Sequence, residues 1–359
     1  MRGVWDRVFI VFVPAIAAAM ILGGGLIGRA NAQSTCPPAS SLCFTPPPST
    51  DAPPSEEPLP GEPLGAATHA AIRSQSDAIG MVLSDYLRWR LRGMAQSASP
   101  AGSGQATDGL IRGMSAGSPM QNLVAWGDAS ASYLKNDTTA FANEGYGVTG
   151  LVGLDSSFNQ NWLFGFSAGY ARTQLKVKAL AGDKLEHGAV LGPYLSYIIN
   201  PHLAVDASFT YGRLSNSFPG ASSFDADRFT GAANLDLFAD AGGSRLSGSI
   251  GYLYAYESPT ASGVPTALNG FPTTQRYGAI KLSGEVAYPI GNFEPYLPIA
   301  YTYETTRPVD AVGHNTLTLG VGLRYRMSDS LNAGLQATDD EFRSHSRDET
   351  FSASLRWSF

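Results

Sequence analysis

From Phe351 to the last residue the chain alternates without a fault: Phe351, Ala353, Leu355, Trp357 and Phe359 take one face, and Ser352, Ser354, Arg356 and Ser358 take the other. A period of two belongs to a β-strand, so one side of this strand is wholly apolar and the other wholly polar. Such a strand fits a barrel wall with lipid outside and a wet lumen inside, but it fits a soluble sandwich equally well. Composition separates the two. Only 15% of residues are charged, against about 25% in a soluble globular protein, while the mean hydropathy of -0.06 is not that of a helical membrane protein. The 40 glycines, 16 tyrosines and 17 phenylalanines suit a barrel with aromatic girdles and closely approaching backbones. The net charge of -6 argues against a nucleic-acid partner.

The same alternation recurs from Asn122 onward. It predicts twelve strands, near 122–134, 143–155, 161–173, 185–199, 202–213, 225–238, 244–256, 275–288, 292–304, 314–327, 330–341 and 348–359. Each has the length that a tilted strand needs to cross the hydrocarbon. The fold class expected is an all-β membrane protein, a 12-stranded antiparallel transmembrane β-barrel over 122–359, monomeric, with lipid as its surroundings. Parity places Leu203, Val205, Phe209 and Tyr211 outward, with Asp206, Ser208 and Thr210 inward; Ile280, Leu282 and Val286 oppose Lys281, Ser283 and Glu285 in the same way. An Arg or Lys facing the bilayer midplane costs about 2–4 kcal/mol, which explains why charges keep to one side. The lumen carboxylates expected on this basis are Asp128, Glu186, Asp206, Asp236, Glu285 and Glu294. Pro193 leaves the register of the fourth strand open.

Connections near Ser156–Gln160, Asn200–Pro201, Ala239–Gly243, Pro289–Gly291 and Ser328–Asp329 are short, while those near Gln174–Lys184, Leu214–Phe224, Glu257–Thr274 and Thr305–Gly313 are longer. Short periplasmic turns and long outer loops are the asymmetry of outer-membrane barrels.

Upstream, Arg2 and Arg7 precede an apolar run from Val8 to Ile27, and Ala30-Asn31-Ala32 forms an A-x-A site that predicts cleavage between Ala32 and Gln33. Residues 1–32 then read as a signal peptide, with an uncleaved inner-membrane anchor as the alternative, because the run approaches spanning length. Residues 33–67 are rich in Pro, Ser, Thr and Ala and cannot bury enough surface to offset their ordering entropy. Cys36 and Cys43 both fall there, and an oxidising periplasm permits a small disulfide loop between them.

Residues 68–95 carry the one helical signal. Thr68 can cap it, Gly93 can stop it, and Ile72, Ile79, Val82, Leu83, Tyr86, Leu87 and Leu91 follow helical spacing. A helix of this length matches the membrane height. It either threads the barrel pore or lies beside it in the periplasm. Its cations are Arg73, Arg88, Arg90 and Arg92, the last three expected to favour the negative end of the macrodipole. If the helix is inside, it meets the lumen carboxylates through partly desolvated pairs. Residues 96–121 read as a flexible linker.

Catalysis finds little support. Asp339, Asp340 and His345 lie near one outer loop and Asp225 and Asp227 near another, but acidic loop residues are far more often solvated. There is no H-E-x-x-H, G-x-S-x-G or phosphate-cradling motif. No enzyme activity, cofactor or metal is expected.

Several segments together resemble the β-domain of autotransporters, the translocator of type V secretion. They are Val124-Ala125-Trp126-Gly127, Gly150-Leu151-Val152-Gly153-Leu154-Asp155, Leu163 to Tyr170, Glu341 to Ser346 and Ser352 to Phe359. The resemblance covers about two thirds of the chain and implies a twelve-stranded barrel in the outer membrane of a Gram-negative bacterium, with a pore helix just upstream. It also implies handling by periplasmic chaperones and by the outer-membrane insertion machinery, which reads the terminal strand through Phe351, Leu355, Trp357 and Phe359. Before the barrel the chain offers only the Pro-rich stretch and the helix, with no internal repeat, so no large exported cargo is expected. Some members release their cargo by cutting the pore helix at an asparagine; 68–92 contains none, and that self-cleavage is not carried over. Two readings remain open: a translocator that displays its own short N-terminal segment, and a porin-like or adhesive barrel with a periplasmic tail.

Overall fold

A computed structural model describes residues 62–97, 123–138, 142–178, 182–218, 223–260, 274–306, 313–341, 343 and 345–359. The cleavage site at Ala32 and Gln33, the cysteines Cys36 and Cys43, and residues 98–122 lie outside the described residues.

Twelve antiparallel strands close into a barrel in sequence order. They are β1 (Leu123–Asn136), β2 (Asn143–Ser157), β3 (Trp162–Val177), β4 (Gly182–Asn200), β5 (Leu203–Ser217), β6 (Phe224–Ala241), β7 (Ser244–Pro259), β8 (Gln275–Ala287), β9 (Phe293–Thr306), β10 (Asn315–Arg326), β11 (Leu331–Glu341) and β12 (Ser346–Ser358). The seam runs the full length of β1 against β12, from Val124↔Ser358 to Asn136↔Ser346. Closure leaves no unpaired strand edge, the condition a sheet must meet in lipid.

Alternation is what makes these segments strands. On β3 Phe164, Phe166 and Tyr170 face out, while Leu163, Ser167 and Thr173 are buried inside. Pro193 does not disturb the register: it faces outward on β4 opposite Phe166, and the β4–β5 ladder skips it and resumes with the same pairing sum. The missing N–H costs one ladder bond there. Between β6 and β7, Gly242 and Gly243 both have positive φ (59° and 87°), which a two-residue hairpin turn of this hand requires.

Two expected outer loops turn out shorter. β3 reaches Val177 and β4 begins at Gly182; β5 reaches Ser217 and β6 begins at Phe224. The strands extend past the band of apolar outward residues, so length in the membrane did not set where they end.

Outward aromatics mark two levels. Near the short turns, Trp162 packs on Tyr197 at 4.5 Å, Phe293 on Tyr325 at 4.7 Å and Trp357 on Phe359 at 4.4 Å. Toward the other rim, Tyr133 meets Tyr146 and Tyr211 meets Phe229, each pair at 5.3 Å. Girdles of this kind bracket the hydrocarbon of a membrane barrel.

Inside the barrel lies α1 (Glu62–Ser97), about 54 Å long at 1.5 Å per residue. It starts six residues before the expected cap at Thr68, which is itself buried, and Pro63 sits in its first turn, where a missing N–H breaks no helical bond. It also runs through Gly93, because Met94 and Ala95 belong to the apolar packing inside the barrel. Arg88, Arg90 and Arg92 are therefore not in the last turn, which carries no basic residue.

Candidate functional site in the barrel lumen

The lumen is built from the inward half of every strand and from α1. Apolar contacts seat the helix. Ile79, Val82, Leu83, Tyr86, Leu87, Leu91 and Met94 pack against inward residues of β1–β6, among them Trp126, Leu151, Tyr194 and Ile198. Ile72 meets Leu253, Ala255, Tyr277 and Ala279 on β7 and β8. Ala67 and Ala71 meet Leu134, Leu175 and Val177 at the ends of β1 and β3.

Those contacts fix the helix direction. Its start lies at the end of the barrel where β1 passes to β2 and β3 to β4. At its other end Arg92 reaches Asp240 and the carbonyl of Ala239, beside the tight β6–β7 turn.

Polar contacts follow each arginine to the wall. Arg90 donates to Asp155 on β2 at 3.2 Å. The same carboxylate accepts from the hydroxyls of Tyr86 and, at 3.1 Å, of Tyr194, which in turn accepts from the Trp126 indole at 2.8 Å. Arg88 donates to Ser249 at 3.0 Å and Ser283 at 3.1 Å, pairs with Asp85 one turn back at 3.2 Å and lies 3.6 Å from Asp236. Arg73 stands 3.9 Å from both Glu304 and Asp348. Asp77 accepts from the Tyr277 hydroxyl at 2.9 Å.

The six expected lumen carboxylates all face inward, yet of these six only Asp236 comes within ion-pair distance of a helix arginine. Glu186 is satisfied by wall cations: Lys184 at 2.7 Å and Arg228, which also holds Glu257 and reaches Gln75 of the helix. Glu285 and Glu294 share Arg324, at 2.6 and 2.8 Å, and Glu294 also takes Arg245. Asp206 accepts from Asn234 at 2.8 Å. Asp128 lines a small gap with Asp85 and Arg356. The helix instead meets Asp155, Asp240, Glu304 and Asp348, which parity also turns inward but does not single out.

Arg356, the inward cation of the terminal strand, sits over the Trp89 ring at 4.7 Å. Its outward neighbours Phe351, Leu355, Trp357 and Phe359 are half exposed to the surroundings. Beside the helix, one cavity of about 60 Å³ is lined by Gly80, Arg88, Lys281 and Thr338, and another of about 60 Å³ by Trp89, Arg92, Arg245 and Glu294. Each is large enough to hold ordered water.

The acidic residues weighed as catalysts have structural partners. Asp225 pairs with Arg213 at 3.1 Å, Asp227 accepts from Tyr211 at 2.7 Å and Asp340 accepts from Thr318 at 2.6 Å. Asp339 lies 3.7 Å from Arg347. His345 adopts the left-handed turn conformation before β12, and its carbonyl accepts from Asp137. Among the described residues no cluster of three or more His, Cys, Asp or Glu is gathered for a metal.

A closed twelve-stranded barrel threaded by the helix that precedes it is a restrictive geometry, and sequence comparison agrees with it: the family described as "Autotransporter beta-domain" matches residues 125–338. The chain belongs to the autotransporter β-domain family. Solved structures share the fold. The β-domain of the Bordetella autotransporter Brka is 14% identical with a TM-score of 0.56, covering 66% of this chain and 100% of that one. The translocator domain of the autotransporter NalP from Neisseria meningitidis is 13% identical with a TM-score of 0.54, covering 82% of this chain and 100% of that one. No curated protein sequence matches the chain. As an autotransporter barrel it is an outer-membrane protein of a Gram-negative bacterium. Barrels of this family are translocators and are generally not enzymes.

Proposed function

We propose that this autotransporter barrel carries its own N-terminal segment through the outer membrane and displays it at the cell surface, with α1 left in the lumen as a plug. The direction of the helix carries the reading. Its N-terminal residues Ala67 and Ala71 lie at the rim with the longer connections, and its C-terminal turns lie at the rim with the tight turns, where β1 starts. Longer connections face the cell exterior in outer-membrane barrels, so whatever precedes the helix leaves on that side. A periplasmic N-terminal tail, as a porin-like barrel would carry, needs the opposite direction.

In this reading residues 1–32 direct export and are removed between Ala32 and Gln33, and residues 33–61 form the displayed segment, with Cys36 and Cys43 joined as a local staple. Phe351, Leu355, Trp357 and Phe359 present the terminal strand to the insertion machinery. Arg73, Arg88, Arg90 and Arg92 tie the plug to the acidic wall. No catalytic residue or cofactor is assigned.

An epitope tag placed after Gln33 tests the display. Protease added to intact cells should remove it. Protection until the outer membrane is permeabilised would leave the porin-like reading standing instead.

A further inference from the structure

A lipid-facing cation needs an anionic partner or must reach the interface. On β3 the outward row runs Tyr170, Arg172, Gln174, Lys176, with Lys178 just past the strand. Ten positions separate Arg172 from Trp162 of the girdle near the short turns. At about 3.3 Å per residue and a tilt near 40° they rise about 25 Å, the height of the apolar band. Arg172 therefore stands where hydrocarbon gives way to headgroups on the side of the longer connections.

Its register neighbours are Val148 on β2 and His187 on β4, neither of them acidic. Among the described residues no carboxylate lies within ion-pair distance of Arg172, Lys176 or Lys178, although Glu144 and Asp183 flank Lys176 in register. Asp183 accepts from Gln174 at 2.9 Å. His187, its ring 6.3 Å from that of Tyr170, keeps a shielded Nδ1 with no hydrogen-bond partner. Outward cations elsewhere near this rim are matched: Lys135 by Asp137 at 2.9 Å, Arg213 by Asp225 at 3.1 Å, Arg347 by Glu349 at 2.6 Å, and Arg276 by the Tyr256 ring at 5.9 Å.

We propose that Arg172 and Lys176 form a binding site for the phosphate of a glycolipid headgroup in the outer leaflet. Arg172 meets the phosphate with its fork of donors at the edge of the low-dielectric layer, where charge-assisted bonds are strongest. Lys176 adds charge one step farther out. Tyr170, just below, covers the first acyl carbons.

The full chain, purified in detergent, is titrated with bisphosphorylated lipid A, the dephosphorylated lipid, phosphatidylglycerol and inorganic phosphate, and binding is read by native mass spectrometry. Bisphosphorylated lipid A should bind at least about tenfold more tightly than each of the other three. The double substitution Arg172→Ser and Lys176→Ser should erase that preference, Arg172→Lys should keep part of it, and Arg276→Ser should leave it intact. Heat-modifiable gel mobility reports that each variant is folded; should the double variant not fold, Arg172→Lys decides. Equal binding of dephosphorylated lipid or of phosphatidylglycerol, tight binding of phosphate alone, or an undiminished preference in a folded variant substituted at Arg172 overturns the proposal. None of these outcomes depends on whether the N-terminal segment is displayed.

Discussion

Arg90 of the helix and Asp155 of β2 meet at 3.2 Å, and both side chains are almost wholly removed from solvent. Removing one partner of such a pair leaves a buried charge uncompensated, at a cost of about 3–5 kcal/mol. Arg90→Ala is therefore expected to lower the urea midpoint of the folded barrel, followed through tryptophan emission, since Trp126 belongs to the same network. Replacing both, as Arg90→Met with Asp155→Leu, should recover only part of the loss, because it removes the uncompensated charge but leaves the hydroxyls of Tyr86 and Tyr194 without their acceptor. An Arg90→Ala midpoint equal to that of the parent would mean that the helix is held without this contact.

Gly165 lies across from Tyr194, and a Cβ there would come within 2.1 Å of the ring. The ring cannot retreat, because its hydroxyl is tied to Trp126 and Asp155. Overpacking of this kind costs about 1–3 kcal/mol. Gly165→Ala should lower the temperature at which the folded band disappears on a heat-modifiability gel. Gly150→Ala, where a Cβ meets nothing within 4 Å, should leave that temperature nearly unchanged.

Lipid contact predicts a dependence on depth. Leu191 is exposed on the outside of β4 near mid-height, and Met327 is exposed just after β10 at the short-turn rim. Leu191→Arg should destabilise insertion by about 2–4 kcal/mol and Met327→Arg by about 0–1 kcal/mol, measured as folding equilibria in lipid vesicles. Equal effects at the two sites would place something other than hydrocarbon around the barrel.

The barrel was open to sequence reasoning because lipid outside and charge inside impose one parity on every strand, and parity survives without any knowledge of contacts. Residues such as Asp206 and Glu285 could be turned inward on that ground alone. The partners of the helix could not be chosen the same way. Asp155 and Glu304 share the inward parity of the expected carboxylates, but which of them faces Arg90 or Arg73 depends on strand tilt and on helix rotation, neither of which is written in alternation. The helix ends were misplaced for a related reason. Thr68 and Gly93 are good local signals for capping and stopping, whereas the barrel wall supplies packing for Ala67 and Met94 that outweighs them. Outer loop lengths were overestimated because polar residues above the membrane still pair as strands.

Side chains of α1 fill the lumen on the β1–β8 side, and two cavities of about 60 Å³ beside it are lined in part by Arg88, Lys281, Arg245 and Glu294. With the helix seated the intact barrel should conduct poorly. Deleting residues 68–95 should raise single-channel conductance in planar bilayers severalfold. Substituting Tyr86→Ala together with Arg90→Ala, which removes two of the contacts to Asp155, should produce intermittent openings of the same size while keeping the helix in the chain. Unchanged conductance in both variants would sink the plug, since a helix that blocks the pore cannot be removed or loosened without opening it.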